Sequence, residues 1–217
     1  MRVQLLALCL ALAACASAPG AENGPPPFTQ GQMQAAPTPA QDYAISVDAP
    51  AGVYQLDPRH ASVQFRIRHM GLAWFTARFD TKDATLSFDP ADPARSQLSA
   101  SVTADSVNTG VEGLDAPVAR ALGAGAIQFA STGIERTGRF TGRVTGNLTM
   151  NGQTHPVALD VTFAGAAIDP LRGANMVLGF SAHGEIDRTQ WGVNQWRAFT
   201  GDTVQIVIEA ELVRRAG

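Results

Sequence analysis

The stretch Tyr54–Met70, YQLDPRHASVQFRIRHM, decides how the rest of the chain is read. Pro58 divides it, because proline lacks the N–H that a ladder needs and fixes φ. Beyond that point Val63, Phe65, Ile67 and His69 fall on one side of an extended segment, and Ser62, Gln64, Arg66 and Arg68 on the other. This period-2 alternation predicts a strand with one buried and one wet face. His69 is the odd member of the apolar side. Two readings stand: a core histidine satisfied by a hydrogen-bonding partner, or a polar group near the mouth of an internal cavity.

Upstream, residues 1–18 carry Arg2 and an apolar run from Leu5 to Ala14, too short to span a bilayer and suited to a signal peptide. Leu12-Ala13-Ala14-Cys15 has the form of a bacterial lipobox, whose cysteine is lipidated, while Ala16-Ser17-Ala18 has the form of an ordinary cleavage site. The lipobox is the more specific pattern, and Ala16 after the cysteine implies transfer to the outer membrane. A periplasmic lipoprotein is therefore expected. Residues 19–50 are rich in Pro, Gly, Gln and Ala. Such a segment buries too little apolar area to offset its chain entropy, which predicts a linker between anchor and domain.

Downstream, the strand pattern repeats. Phe75, Ala77 and Phe79 alternate with Thr76 and Arg78; Ala84, Leu86 and Phe88 follow; then Leu98, Ala100, Val102 and Ala104. Residues 112–122 are the one helical candidate, with Asp115 as cap, Pro117 in the first turn and Gly123 closing it. Asn151-Gly152 predicts a type I′ hairpin between 138–150 and 154–164. Val204, Ile206, Ile208, Ala210 and Leu212 alternate to the end. Nine or ten strands and one helix over 51–215 predict an all-β domain whose antiparallel sheet closes into a barrel and so removes its exposed edges.

Net charge is −3, from 16 basic and 19 acidic residues, and Lys82 is the sole lysine. Only Arg214-Arg215 approach a basic cluster, which excludes a nucleic-acid partner. Cys9 and Cys15 both precede the domain, so neither a disulfide nor a thiolate site holds it together. Histidines 60, 69, 155 and 183 lack metal-ligand spacing, and no metal is expected. Asp57, Arg59 and His60 read first as a capped turn and second as an acid/base trio. Asp187-Arg188-Thr189-Gln190-Trp191-Gly192 reads as a structural corner with Arg188 paired to a carboxylate or to carbonyls.

Small residues on the inward side (Ala77, Ala84, Ala100, Ala104, Ala182 and Gly184) leave volume for a lumen, unless the aromatics cross the axis and fill it. A lumen lined by Phe65, Ile67, Phe75, Phe79, Phe88, Phe129 and Phe180 would suit a chain or ring lipid. His69 would then meet its hydroxyl, phosphate or quinone head group.

Tyr54, Asp57, His60, Phe65 and His69, in that order and spacing, resemble the opening of the YceI family of lipid- and polyisoprenoid-binding periplasmic proteins. Gly146–Gly152, Gly179-Phe180, the Ile186-Asp187-Arg188…Trp191-Gly192 run and Gly201-Asp202…Val204…Ile206 are also similar to that family. The resemblance covers about residues 52–213 and implies an extended lipocalin-like barrel with one helix. It further implies an isoprenoid lipid or quinone held without catalysis and with no separate cofactor. One departure is visible: the family's Leu-Lys-Ser and Phe-Phe-Asp run is replaced here by Leu114-Asp115-Ala116-Pro117 through Gly123-Ala124-Gly125. The expected partners are that lipid and, through Cys15, a membrane, with a homodimer left open. A carrier or reservoir is favoured over an enzyme acting on a lipid-like substrate and over a filled barrel serving as an interaction module.

Overall fold

The computed structural model describes residues 49–123, 125–170 and 173–215. The expected signal segment, the Cys15 lipobox and nearly all of the linker lie outside the described residues. The strands are β1 (Gly52–His69), β2 (Ala73–Phe79), β3 (Lys82–Phe88), β4 (Gln97–Thr103), β5 (Val107–Asn108), β6 (Ala126–Arg136), β7 (Thr141–Met150), β8 (Gln153–Asp169), β9 (Asn175–Asp187) and β10 (Thr200–Arg214). One helix, α1 (Asp115–Ala121), lies between β5 and β6.

Every pairing is antiparallel, and β1 pairs with β10 to close the sheet on itself. β2 and β3 both pair with β1, one along Gln64–His69 and the other along Gly52–Gln55, so together they act as one kinked strand. β4 and β5, separated by a single 3₁₀ turn at Ala104–Ser106, meet β3 and β2 in the same way. The result is an eight-stranded barrel in which each strand neighbours the next in sequence. Closure satisfies the backbone groups that an open sheet of this size would leave at its edges.

Pro58 does not end β1. The strand runs through it with a bulge: from Leu56 to Ala61 it advances five positions while β10 advances two, from Leu212 to Ala210. A bulge is where a residue without an N–H can sit inside a ladder. The Asp57 carboxylate holds it, accepting the Arg59 N–H at 3.0 Å and lying 2.9 Å from His60 Nδ1.

The Asn151-Gly152 hairpin forms as expected, with φ of 50° and 72°, and the Asn151 amide donates to the Trp191 carbonyl at 3.0 Å. The helix also forms, and Gly123 follows it at φ 78°. Its cap differs from expectation. Leu114 occupies the cap position with no side-chain bond. The Asp115 carboxylate is drawn back to the preceding loop instead, accepting from the Thr109 N–H at 2.7 Å and the Thr109 hydroxyl at 2.6 Å. Those bonds hold its carboxyl below the usual range.

Buried apolar residues form two clusters rather than one. The first gathers Phe79, Ile127, Met150, Val157 and Trp191 with the helix residues Ala119 and Ala121. The second surrounds Tyr54 and Leu178 near the start of β1. The barrel is therefore packed toward each end.

Candidate functional site

Between the two clusters lies a cavity of about 1130 Å³. The alternation read in β1 sets its wall: Val63, Phe65, Ile67 and His69 all line it. Phe75 and Phe79 of β2, Phe88 of β3, Phe129 of β6 and Phe180 of β9 line it too, so all eight residues assigned to a lumen face this one space. The inward set of β10, from Val204 to Leu212, completes the circuit.

The rings do not fill the axis, because small residues stand among them. Ala84, Ala100 and Ala182 line the cavity. Ala77 and Ala104 do not: they are buried in the packed cluster that includes the helix residues Ala119 and Ala121. Gly184 also lies off the cavity wall, and a Cβ there would stand 2.8 Å from the Ala158 carbonyl oxygen. Gly146 serves the lumen differently. A Cβ at that position would overlap the Phe129 ring and lie 2.5 Å from the Ala130 oxygen, so the glycine lets Phe129 lie flat against β7.

His69 is exposed and lines the end of the cavity, opposite Thr200 in the β1–β10 register. That corrects the core-histidine reading: β1 emerges into solvent just where its apolar face ends. At the other end the wall includes Ser96, Arg136 and Arg139. The intervening surface is apolar almost throughout.

Of the motif residues Arg188 also lines this space, and the others support it from behind. Tyr54 is fully buried, and its hydroxyl donates to the Pro50 carbonyl at 2.7 Å; burial raises its phenol above the ordinary value. Asp57 and His60 hold the β1 bulge and do not line the cavity. Asp187 caps a 3₁₀ turn, Arg188–Trp191, by accepting from the Thr189 N–H at 2.9 Å. Arg188, only 4% exposed, reaches the carbonyls of Gly201, Val193 and Gln195 at 2.9, 2.7 and 2.8 Å. Trp191, 1% exposed, donates its indole N–H to the Leu148 carbonyl at 3.0 Å. Among the described residues no group of three His, Cys, Asp or Glu side chains converges as a metal site would need.

Three parts of the wall escaped the sequence reading. Leu114, Val118 and Leu122 close the helix side. Their i, i+4, i+8 spacing was a usable signal. They stand where the family's lysine and paired phenylalanines are absent, so the wall there is aliphatic. Trp196 and Phe199 come from the loop before β10, and Phe140 from the turn between β6 and β7. Those loop aromatics have no periodicity that could reveal them.

The YceI-like domain model matches residues 54–212. A UPF0312 protein of Ectopseudomonas mendocina is 30% identical over 178 residues, covering 79% of this chain and 92% of that protein. Protein YceI of Salmonella arizonae is 30% identical over 174 residues, covering 77% and 90%. In fold, the chain is similar to Burkholderia cenocepacia BcnA, with a TM-score of 0.64 at 23% identity over 72% of this chain and 98% of that one. It is also similar to a polyisoprenoid binding domain from Saccharophagus degradans, with a TM-score of 0.54 at 12% identity over 76% of this chain and all of that one.

Proposed function

We propose, for a chain that belongs to the family of YceI-like domains, that the barrel binds an amphiphilic isoprenoid lipid or quinone in its lumen. It would act as a carrier or reservoir in the cell envelope rather than as an enzyme. The observation that carries this reading is the lumen itself: about 1130 Å³ walled mainly by phenylalanines, aliphatics and alanines, with a minority of polar side chains such as Gln64, Lys82 and Glu209. Each methylene transferred into such a space contributes about 0.8 kcal/mol, so a long tail binds tightly without a polar contact. His69 and Thr200 stand where a hydroxyl, phosphate or quinone head group would emerge. The polyisoprenoid binding domain of similar fold supports the same ligand class. The Asp57–His60 pair lies off the lumen wall, which favours its holding the bulge over an acid/base role. The lipobox ending at Cys15 supports attachment to the outer membrane on its periplasmic side.

Native mass spectrometry of protein purified from bacterial membranes, followed by organic extraction, tests this. A stoichiometric isoprenoid or quinone is expected. Ala182→Phe, which places a ring in the lumen, should lower its occupancy or shorten the chain retained. A protein that carries no such lipid and takes up none when it is added would overturn the reading.

A further inference from the structure

The mouth beside His69 carries a surface that the lumen alone does not explain. The turn from β1 to β2 leaves Met70 60% and Leu72 80% exposed, and the loop before β10 leaves Phe199 56% exposed with Trp196 beside it. These form one rim. The Met70 N–H donates to the Phe199 carbonyl at 2.6 Å, and the N–H groups of Phe199 and Thr200 both donate to the Trp196 carbonyl at 2.8 Å. Trp196 and Phe199 also line the cavity, so rim and lumen are continuous.

The backbone marks the same two segments. Met70 and Trp196 have φ of 52° and 58°, the left-handed region that side chains larger than Asn rarely occupy. Glycine would relieve both, yet large apolar side chains stand there, Met70 60% and Trp196 42% exposed. Strain kept at exposed apolar residues signals a demand from outside the fold.

Cations flank the rim on the outer face of β1. The Arg68 guanidinium lies 4.4 Å from the centre of the Trp74 ring and that of Arg66 lies 5.5 Å away. Among the described residues neither pairs with a carboxylate. Arg66 donates to Gln205 at 2.8 Å, and Gln205 in turn donates to Glu185. Arg197 is already paired with Asp202. Apolar and aromatic side chains on protruding turns, with arginines behind them that have no carboxylate partner among the described residues, match a membrane interface, where the first enter the acyl boundary and the second meet phosphates.

We propose that this rim docks the barrel on an anionic phospholipid surface and sets the lumen mouth against the bilayer. Met70, Leu72, Trp196 and Phe199 enter the interface, and Arg66 and Arg68 meet the head groups. The use of the mouth for lipid loading rests on the lumen reading above; the docking does not.

The test is co-sedimentation of residues 19–217, which carry the whole barrel without the apolar leader and Cys15, with vesicles of phosphatidylethanolamine and phosphatidylglycerol. Binding that weakens with salt and on phosphatidylcholine vesicles is expected. Leu72→Asp should weaken it about tenfold or more, and the double variant Arg66→Gln/Arg68→Gln should erase the preference for the anionic lipid. Met70→Gly should weaken binding without lowering the denaturation midpoint, which a purely structural role would not allow. Uptake of a fluorescent polyprenyl probe without vesicles reports on the lumen separately and should be unchanged by Leu72→Asp. Vesicle binding without probe uptake would overturn the lumen reading alone. No vesicle binding, binding indifferent to Leu72→Asp, or a dimer in sedimentation velocity that Leu72→Asp dissolves would overturn the docking.

Discussion

Residues 187–193 and 194–200 join the same two strands, β9 and β10, yet they are built on opposite terms. In the first half Arg188 and Trp191 are buried, and four donors of theirs reach main-chain carbonyls between 2.7 and 3.0 Å. In the second half Trp196 and Phe199 stand exposed, Trp196 holds a left-handed backbone, and Arg197 pairs with Asp202 at the surface. The contrast assigns two tasks to one loop. Residues 187–193 fix the floor of the cavity mouth by burying a tryptophan and satisfying the carbonyls around a guanidinium. That fixed base is what allows the following residues to hold aromatics that are part exposed and part turned to the cavity, Trp196 on a left-handed backbone.

The largest expected effect breaks the first half. Trp191→Ala removes a fully enclosed indole from between the β7–β8 hairpin and the helix-end cluster, and should destabilise the fold by about 3–5 kcal/mol. Chemical denaturation with an unchanged m-value checks it. A loss near 1 kcal/mol would mean that the corner does not anchor the mouth.

Trp196→Gly probes the second half and should behave differently. Relief of the left-handed backbone gains about 1 kcal/mol, and the added freedom of glycine in the unfolded chain removes a similar amount. The side chain is 42% exposed and also lines the cavity, so part of its packing is lost as well. The two backbone effects nearly cancel, so the net change should be a loss of about 1–2 kcal/mol from the covered part of the ring by the same denaturation assay. A loss as large as that of Trp191→Ala would show that the two halves form one packed unit.

The same contrast governs what could be read from the sequence. Facing on a strand is a local property: side chains alternate whatever the partner is, so Val63 to His69 and Val204 to Leu212 disclosed the lumen wall directly. The Asn151-Gly152 turn was legible for the same reason, since its conformation belongs to two residues. Pro58 was not, because whether a proline ends a strand or sits in a bulge depends on β10, some 150 residues away. The union of β2 with β3 and of β4 with β5 into two kinked strands is likewise a matter of register on β1 and on each other. Asp115 offered two local outcomes, capping its own helix or bonding Thr109, and only the path of the loop decides between them. The Trp196–Phe199 rim has neither period nor motif, and its nearness to Met70 exists only once the barrel closes.

Asp202 touches both halves of the loop, and its titration yields the smallest effect and the finest distinction. It accepts from Arg197 Nε at 2.9 Å and Nη2 at 2.6 Å, and stands 3.7 Å from Arg188 Nη2. The hydrogen bonds from Arg197 come first in holding its carboxyl below the usual range, with the charges of Arg197 and then Arg188 adding to it. A carboxyl depressed in the folded state binds its proton more weakly there than in the unfolded chain. Its stabilisation is therefore complete above the unfolded value of about 4 and is lost as pH falls through the lower folded value. Denaturation midpoints should be insensitive to this group from neutral pH to about 5, and Asp202→Asn should flatten part of the decline below 4. Being at the surface, the group contributes little in total and less in high salt. Arg197→Gln separates its two partners. If it flattens the acid decline as far as Asp202→Asn does, the exposed half owns the carboxylate; if the decline persists, Asp202 belongs with buried Arg188, and the boundary between anchor and rim moves to residue 202.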